Sequence, residues 1–247
     1  MKKDVLLTVA ESKRLIAKGV ARFKPVVKAK KDGIVVVATG TTNGYVYEEL
    51  LDKKIDKRRY TSGAVLPKKG DARKRLPAEK LSDLVLRKGK IDKGLDRFTA
   101  VAEMGPGDVF IKGCNALNYE KRIAGILIGD RKGGTIGSAI GHIVGKRITL
   151  VLPVGLEKEI AGNILENSRL LHSADAQGPR MMPIGGEIIT EIEALEILCG
   201  IKATHIASGG VGGAEGAVWL LLQGEEKPLT KALALIDEIQ GEPPWLG

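Results

Sequence analysis

The run Ile34-Val35-Val36-Val37-Ala38 contains no polar residue, and it constrains the fold more than any other stretch of the chain. A strand with one wet face alternates apolar and polar residues. An unbroken β-branched run needs burial on both faces, as in a parallel sheet covered by helices. Comparable runs recur at Val109-Phe110-Ile111, Ile123 to Ile128 and Ile148 to Leu152, each closed by a small polar or glycine turn. Parallel strands need crossover connections, and helix-like sequence lies between the runs. The expected fold is therefore α/β, with an open, mostly parallel sheet and helices on both faces, Rossmann-like, in a single domain over residues 1–247.

Local signals mark several elements. Thr8 and Glu11 have capping-box spacing and open a helix that Pro25 breaks. Thr190 and Glu193 repeat that spacing before a helix through Leu198. Further helices are expected near Asn43 to Asp52, from Thr135 to Val144, from about Leu156 to Asn167 and from Leu229 to Ile239. Met104 to Asp108 is a turn. Tyr60 to Leu66, Leu84 to Leu86, Ala203 to Ala207 and Ala217 to Leu222 read as strands. Gly209 to Gly213 reads as a turn, and Pro243-Pro244-Trp245 as a tail packed through its tryptophan.

Two glycine-rich turns each join a strand run to a helix. The first is Thr39-Gly40-Thr41-Thr42-Asn43, and the second runs from Gly129 through Lys132-Gly133-Gly134-Thr135 to Gly137. Free N–H groups and the helix dipole make such a turn receptive to an anion. Ordinary N-capping by Thr41 or Thr42 is the alternative for the first turn. Neither turn has the spacing of a dinucleotide fingerprint or a Walker loop. In open α/β sheets ligands bind beyond the carboxyl ends of the strands. Both turns, Lys112-Gly113-Cys114-Asn115 and Pro153-Val154-Gly155 are expected at such ends, lining one crevice.

In order and strand context, these motifs resemble a superfamily that includes ribose-5-phosphate isomerases, glucosamine-6-phosphate deaminases and coenzyme A transferases. Ala38-Thr39-Gly40-Thr41-Thr42 is similar to the phosphate loop of ribose-5-phosphate isomerase. Gly113-Cys114-Asn115-Ala116 resembles the turn after a central strand, and Lys132-Gly133-Gly134-Thr135 the glycine turn that follows it. The resemblance covers roughly residues 10 to 155. It implies a sugar phosphate or related anion held by Thr39, Gly40, Thr41, Thr42, Asn43, Gly113, Asn115, Gly133, Gly134 and Thr135. It also gives Lys132 a role in gripping phosphate or stabilising an enediolate oxyanion. The isomerases carry acids where this chain has Asn115-Ala116, so any proton transfer needs other groups. Glu157 is a candidate general base. Glu215, before a buried run and followed by Gly216, is the candidate nucleophile if the chain is instead coenzyme A transferase-like.

The formal charge of +9 is concentrated in one excursion after the first strand–helix unit. Between Lys53 and Arg75 ten basic residues face only Asp56 and Asp71. The region 53–95 reads as a lid-like subregion, or as a basic surface for nucleic acid or a protein partner. With Tyr60 as its only aromatic there, it offers no base-stacking platform, so a lid over an anion pocket fits better. A non-catalytic metabolite sensor with a basic surface is thus a third functional reading, beside isomerase and acyl transferase. Cys114 and Cys199 are far apart and His142, His172 and His205 are scattered, so neither a metal site nor a cofactor is expected. No apolar run approaches the ~20 residues that span a bilayer. The expected setting is cytoplasmic, off the membrane, with self-association into a homo-oligomer open.

Overall fold

The computed structural model describes residues 1–61, 65–71 and 74–245. In chain order the elements are β1 (Lys2–Leu7), α1 (Val9–Arg22), α2 (Lys24–Asp32), β2 (Ile34–Val37), α3 (Thr41–Leu51), β3 (Leu84–Arg87), β4 (Lys90–Ile91), α4 (Arg97–Glu103), β5 (Val109–Ile111), β6 (Ala116–Asn118) and β7 (Ile123–Ile128). They continue with α5 (Gly134–Gly145), β8 (Thr149–Pro153), α6 (Ile164–Leu171), β9 (Arg180–Ile184), β10 (Glu187–Ile189), α7 (Glu191–Cys199), β11 (Lys202–Ser208), β12 (Val218–Gln223) and α8 (Glu226–Ile239).

The chain is mixed α/β with three sheets. The largest has six strands in the order β10-β8-β5-β2-β3-β4. Its first four strands run parallel, with Val36 opposite Phe110, Phe110 opposite Leu150 and Leu152 opposite Ile188. The β3–β4 hairpin adds to β2 antiparallel, so the sheet is mixed. Every residue of β2 and β5 is buried, as their unbroken apolar sequences require. A second, antiparallel sheet has the order β1-β12-β11, and a third β6-β7-β9. One core joins Leu7 of β1 and Leu220 of β12 to Val36, Phe110 and Leu152 of the main sheet.

Helix α1 is central to that core. Its capping box forms as the sequence predicts, with the Glu11 carboxylate accepting from Thr8 N at 2.8 Å. Leu15, Ile16 and Val20 are fully buried. Gly19 allows α7 to approach, because a Cβ there would lie 2.7 Å from Ala194. Arg14, on the same helix, is a buried ionic hub. Its guanidinium bonds Glu48 at 2.5 Å, Glu49 at 2.8 Å and Glu242 at 2.9 Å. Arg14 and Lys57 lie over the Tyr45 ring at 4.9 and 4.5 Å. Glu242 precedes Pro243-Pro244-Trp245, which packs beside Ile55 and Lys57, so the C-terminal segment is stitched to α1 and α3.

Several expectations need correction. The strand read at Ile123–Ile128 exists as β7 but belongs to the third sheet, since only β2, β5, β8 and β10 form the parallel set. The helix expected from Leu156 is a single 3₁₀ turn over Leu156–Lys158; the regular helix starts at Ile164, capped by Asn163. Of the expected strand Tyr60–Leu66, residues 62–64 lie outside the described residues and the rest are not in a strand. Tyr60 is a buried strut instead, its hydroxyl donating to Val37 O and accepting from Leu84 N at 2.9 Å. In the basic excursion, Arg73 lies outside the described residues. Lys54 and Lys57 pair with Glu48, Arg58 with Asp56 and Arg59 with Glu79. No helix among the described residues is long and apolar enough to cross a membrane.

Candidate functional site

The carboxyl ends of β2, β5, β8 and β10 all open on one edge of the main sheet. Beyond them follow Ala38-Thr39-Gly40, Lys112-Gly113-Cys114-Asn115, Val154 to Lys158, and Thr190-Glu191. Because β3 runs antiparallel, with Leu84 opposite Val37, Asp83 comes to the same edge. Arg97, the first residue of α4, reaches it through Asp83; α1 packs against β8 and β10, with Ser12 near Glu191 and Lys13 near Glu157 and Lys158.

At the β2 side, Asp83 is nearly fully buried and accepts from Thr39 N at 2.8 Å and from the Arg97 guanidinium at 2.8 and 2.9 Å. The same guanidinium donates to Thr39 Oγ1 at 3.2 Å, while Arg97 Nε is buried without a hydrogen-bond partner. In the centre, the Lys112 ammonium donates to Gly113 O at 2.9 Å. Burial, and then the neighbouring Lys158 and Arg97 charges, hold its pKa below the ordinary lysine value, against the opposing pull of Cys114 and Asp83. Burial pushes the Cys114 thiol up to about 11, which makes it a poor nucleophile.

At the β8–β10 side the charges are carboxyls and two lysines. Glu191 is fully buried and accepts from Leu156 N at 3.0 Å. Burial, and then the adjacent Glu157 carboxylate, raise its pKa to about 7. Glu157 lies 3.9 Å from the Lys158 ammonium, and its Oε2 is buried without a hydrogen-bond partner. Its side chain folds back over Gly155, where an added Cβ would come within 1.7 Å of Glu157 Oε2. Ser12 Oγ is likewise buried, near Glu191 but without a bond of ordinary geometry. The Lys13 amine is lowered to about 8, by burial first and by Lys158 next, with Glu157 acting the other way.

A carboxyl that keeps its proton to higher pH in the folded chain than in the unfolded one contributes stability at low pH. Between about pH 4.5 and 7 the folded state holds the extra proton at Glu191, so stability falls as pH rises through that window. The span corresponds to about 3 kcal/mol. Glu191→Gln is expected to remove this slope and to be more stable than the native chain above the window. Urea denaturation across it checks the point; a slope unchanged by the substitution would assign the proton elsewhere.

The sequence-predicted residues divide between two places. Thr39, Gly40, Thr41, Thr42, Asn43, Gly113, Asn115 and Glu157 all follow parallel strands of the main sheet. The N–H groups of Thr39 and Gly40 are taken by Asp83 and Tyr60 O, so the open donors of this turn lie further on, at the first turn of α3. Asn43 is buried, its Nδ2 bonding Ala38 O at 2.6 Å and its Oδ1 lacking a partner. Asn115 is tied to β7 through Gly125 O and Leu127 N. Lys132, Gly133, Gly134 and Thr135 follow β7 of the third sheet instead. There Asp130 Oδ1 accepts from Lys132 N and Gly134 N, and Lys132 is exposed. Glu215 sits in the β11–β12 connection, accepting from Gly213 N at 3.0 Å. It makes no bond to the carboxyl-edge groups among the described residues.

The structure adds Ser12, Lys13, Asp83, Arg97, Lys158 and Glu191, none of them named from the sequence, and Lys112, which the sequence placed in a crevice-lining segment without giving it a role. Lys112 carried a usable signal, a lone cation between an apolar strand and a glycine. Among the described residues no group of three or more His, Cys, Asp or Glu is placed to hold a metal ion. A cleft of about 550 Å³ adjoins this edge beyond β3 and is lined by Asp83, Asp92, Asp96, Lys93, Tyr47 and Leu95. With three aspartates against one lysine it suits an anion poorly, in contrast to the lysine-rich edge beside it.

Comparison with protein-family models, curated proteins and solved structures finds no match to the chain. The resemblance to sugar-phosphate isomerases therefore rests on its sequence motifs alone.

Proposed function

We propose that the carboxyl edge of the main sheet binds a small phosphorylated or otherwise anionic metabolite, and that Glu157 and Glu191 move a proton on it in an isomerase-type reaction. The observation that carries this reading is the run of cations along this edge, with Lys13 and Lys158 beside Glu157, Lys112 between Lys158 and Arg97, and Arg97 paired with Asp83. Bringing like charges together out of water is costly unless an anion offsets them, and such arrangements cluster at functional sites. One feature of the mixed sheet supports the reading, its four parallel strands, since ligands of such sheets bind beyond the carboxyl ends.

The proton transfer draws its support from the carboxyl pair. An acid close to half-protonated at neutral pH serves as donor or acceptor with little driving force lost either way. These acids come from the β8 and β10 ends, which accounts for their absence from the Asn115-Ala116 turn. Acyl transfer through Glu215 has less support, because that carboxylate is engaged within its own turn. A sensor with a basic surface has less as well, since several cations of the excursion are paired internally.

Calorimetric titration with inorganic phosphate, ribose 5-phosphate and unphosphorylated ribose tests the reading. Saturable 1:1 binding of the phosphorylated species and none of ribose is expected. Isomerase-type chemistry further predicts solvent deuterium at the carbon next to the sugar carbonyl, lost in Glu191→Gln. Failure of every phosphate compound to bind at millimolar concentration would overturn the assignment.

A further inference from the structure

We propose that a lysine surface at the opposite, amino end of the main sheet docks on the phosphate backbone of duplex nucleic acid. The surface is built where α2 feeds into β2. The carbonyl of Gly33, between those two elements, accepts from Lys88 N at 2.8 Å, and Ile34 lies opposite Arg87. The Lys88-Gly89 turn of the β3–β4 hairpin therefore abuts the last turn of α2, where a Cβ on Gly89 would lie 3.7 Å from Lys30 O. The Lys30 ammonium donates to Leu50 O at 2.6 Å, which ties the end of α3, and Lys53 just beyond it, to the same place. Three elements thus bring Lys28, Lys31, Lys53, Lys88 and Lys90 together, all exposed, and Lys24 extends the row along α2.

Among the described residues, none of these six ammonium groups has a hydrogen bond or an ion pair. The excursion differs, since Lys57, Arg58 and Arg59 each have an acidic partner. The acids near the lysine surface are the exposed Asp32 and Asp52, while Asp92 and Glu103 are paired with Arg87 and Asp108 bonds Ile34 N and Gly105 N. Local helix chemistry explains one lysine of the row, because a cation in the last turn, such as Lys31, complements the dipole. Lys24, Lys28 and Lys31 stand at i, i+4 and i+7, however, where like charges oppose the helix. Helix α2 packs through Val26 and Ala29 and turns that row outward, setting its ends about 10 Å apart. Exposed, unpaired ammonium groups in such a row meet successive phosphates as point charges, without reading bases. The face has no exposed aromatic on which single-stranded bases could stack. Its exposed large apolar side chains are Val27 and Ile91, far short of the apolar face of a membrane-surface helix. This surface lies away from the carboxyl edge, so the proposal goes beyond the anion site and does not rest on it.

Fluorescence anisotropy of the full chain with a labelled DNA duplex of mixed sequence tests the assignment. Saturable binding without sequence preference is expected at low salt. With about four phosphates neutralised, affinity should fall roughly 100-fold between about 50 and 200 mM salt. The combined variant Lys28→Gln, Lys31→Gln, Lys88→Gln is expected to weaken binding about tenfold or more and to flatten the log–log salt slope by about 3. The excursion variant Lys68→Gln, Lys69→Gln, Lys74→Gln should stay within about threefold of the native chain. In the native chain, bound duplex should protect Lys28, Lys31 and Lys88 from acetylation, a readout that holds even where the combined variant fails to fold. Ribose 5-phosphate should not compete. Absence of duplex binding at low salt, binding lost in the excursion variant alone, or unprotected lysines on α2 and the hairpin would overturn the proposal. Tighter binding to single-stranded DNA or to phosphatidylglycerol vesicles than to the duplex would do the same.

Discussion

Replacing Arg14 by alanine is expected to lower the free energy of unfolding by about 3–5 kcal/mol, a large part of the marginal stability of a domain this size. The guanidinium is only 4% exposed and bonds three glutamates, of which Glu48 is 2% exposed. Burial alone pushes the Glu48 carboxyl up. The bond and charge of Arg14, together with the Ile55 N–H and the Lys57 charge, outweigh it and leave the pKa below the ordinary glutamate value. Removing Arg14 therefore strands buried negative charge, a penalty well beyond the loss of the bonds themselves. It also frees the Glu242 segment from α1 and one face of Tyr45 from its cation. Arg14→Lys should recover little, since a single ammonium cannot bond three carboxylates as the planar fork does. Urea denaturation gives the number. Pairing Arg14→Met with Glu48→Gln should return part of the loss and keeps the test open if the single variant is insoluble. A loss below about 1 kcal/mol for Arg14→Ala would place this network with weak surface ion pairs.

Lys112→Met is expected to weaken binding of inorganic phosphate or ribose 5-phosphate by about 30-fold or more, the cost of removing one partner of a desolvated charge pair. The same change should leave stability unaltered or slightly raised. In the ligand-free chain this ammonium is desolvated, close to Lys158 and Arg97, and among the described residues its hydrogen bond is to Gly113 O. A structural lysine would behave in the opposite way, with stability falling and affinity unchanged. Calorimetry and urea denaturation on one preparation separate the two cases. An affinity within about threefold of the native chain would remove Lys112 from the anion site.

How much of this was legible depended on how each residue is buried. The parallel strands were readable because a strand covered on both faces keeps no polar residue, as at Ile34–Val37 and Val109–Ile111. The capping boxes at Thr8 and Thr190 were equally plain, because their bonds span three residues. Strand β1 was missed: it lies at a sheet edge, and its Lys2-Lys3-Asp4 half is exposed. Strand β10 is only three residues long and begins with an exposed glutamate.

The site was half legible for related reasons. Thr39 to Asn43, Gly113 and Glu157 follow directly from apolar strands, so their edge was predictable. Glu191 was hidden in the first turn of a capped helix, where an acid normally serves the helix dipole. Lys13 lies on a helix, and only the packing of α1 across β8 and β10 brings it to the edge. The turn at Lys132 to Thr135 is real, with Gly133 at φ +87° and Gly134 at φ +56°. Nothing local in β7 indicates which sheet it joins, so the sequence assigned that turn to the same edge.

The central claim is that the anion sits at the carboxyl edge of β2, β5, β8 and β10. Amide chemical-shift mapping during titration with ribose 5-phosphate tests it most directly. Saturating shifts are predicted at Thr41 and Thr42, Gly113, Gly155 to Lys158 and Glu191, with little change at Gly133 and Gly134. Shifts confined to the Lys132–Thr135 turn, or to the basic excursion around Lys57 to Arg59, would contradict the account.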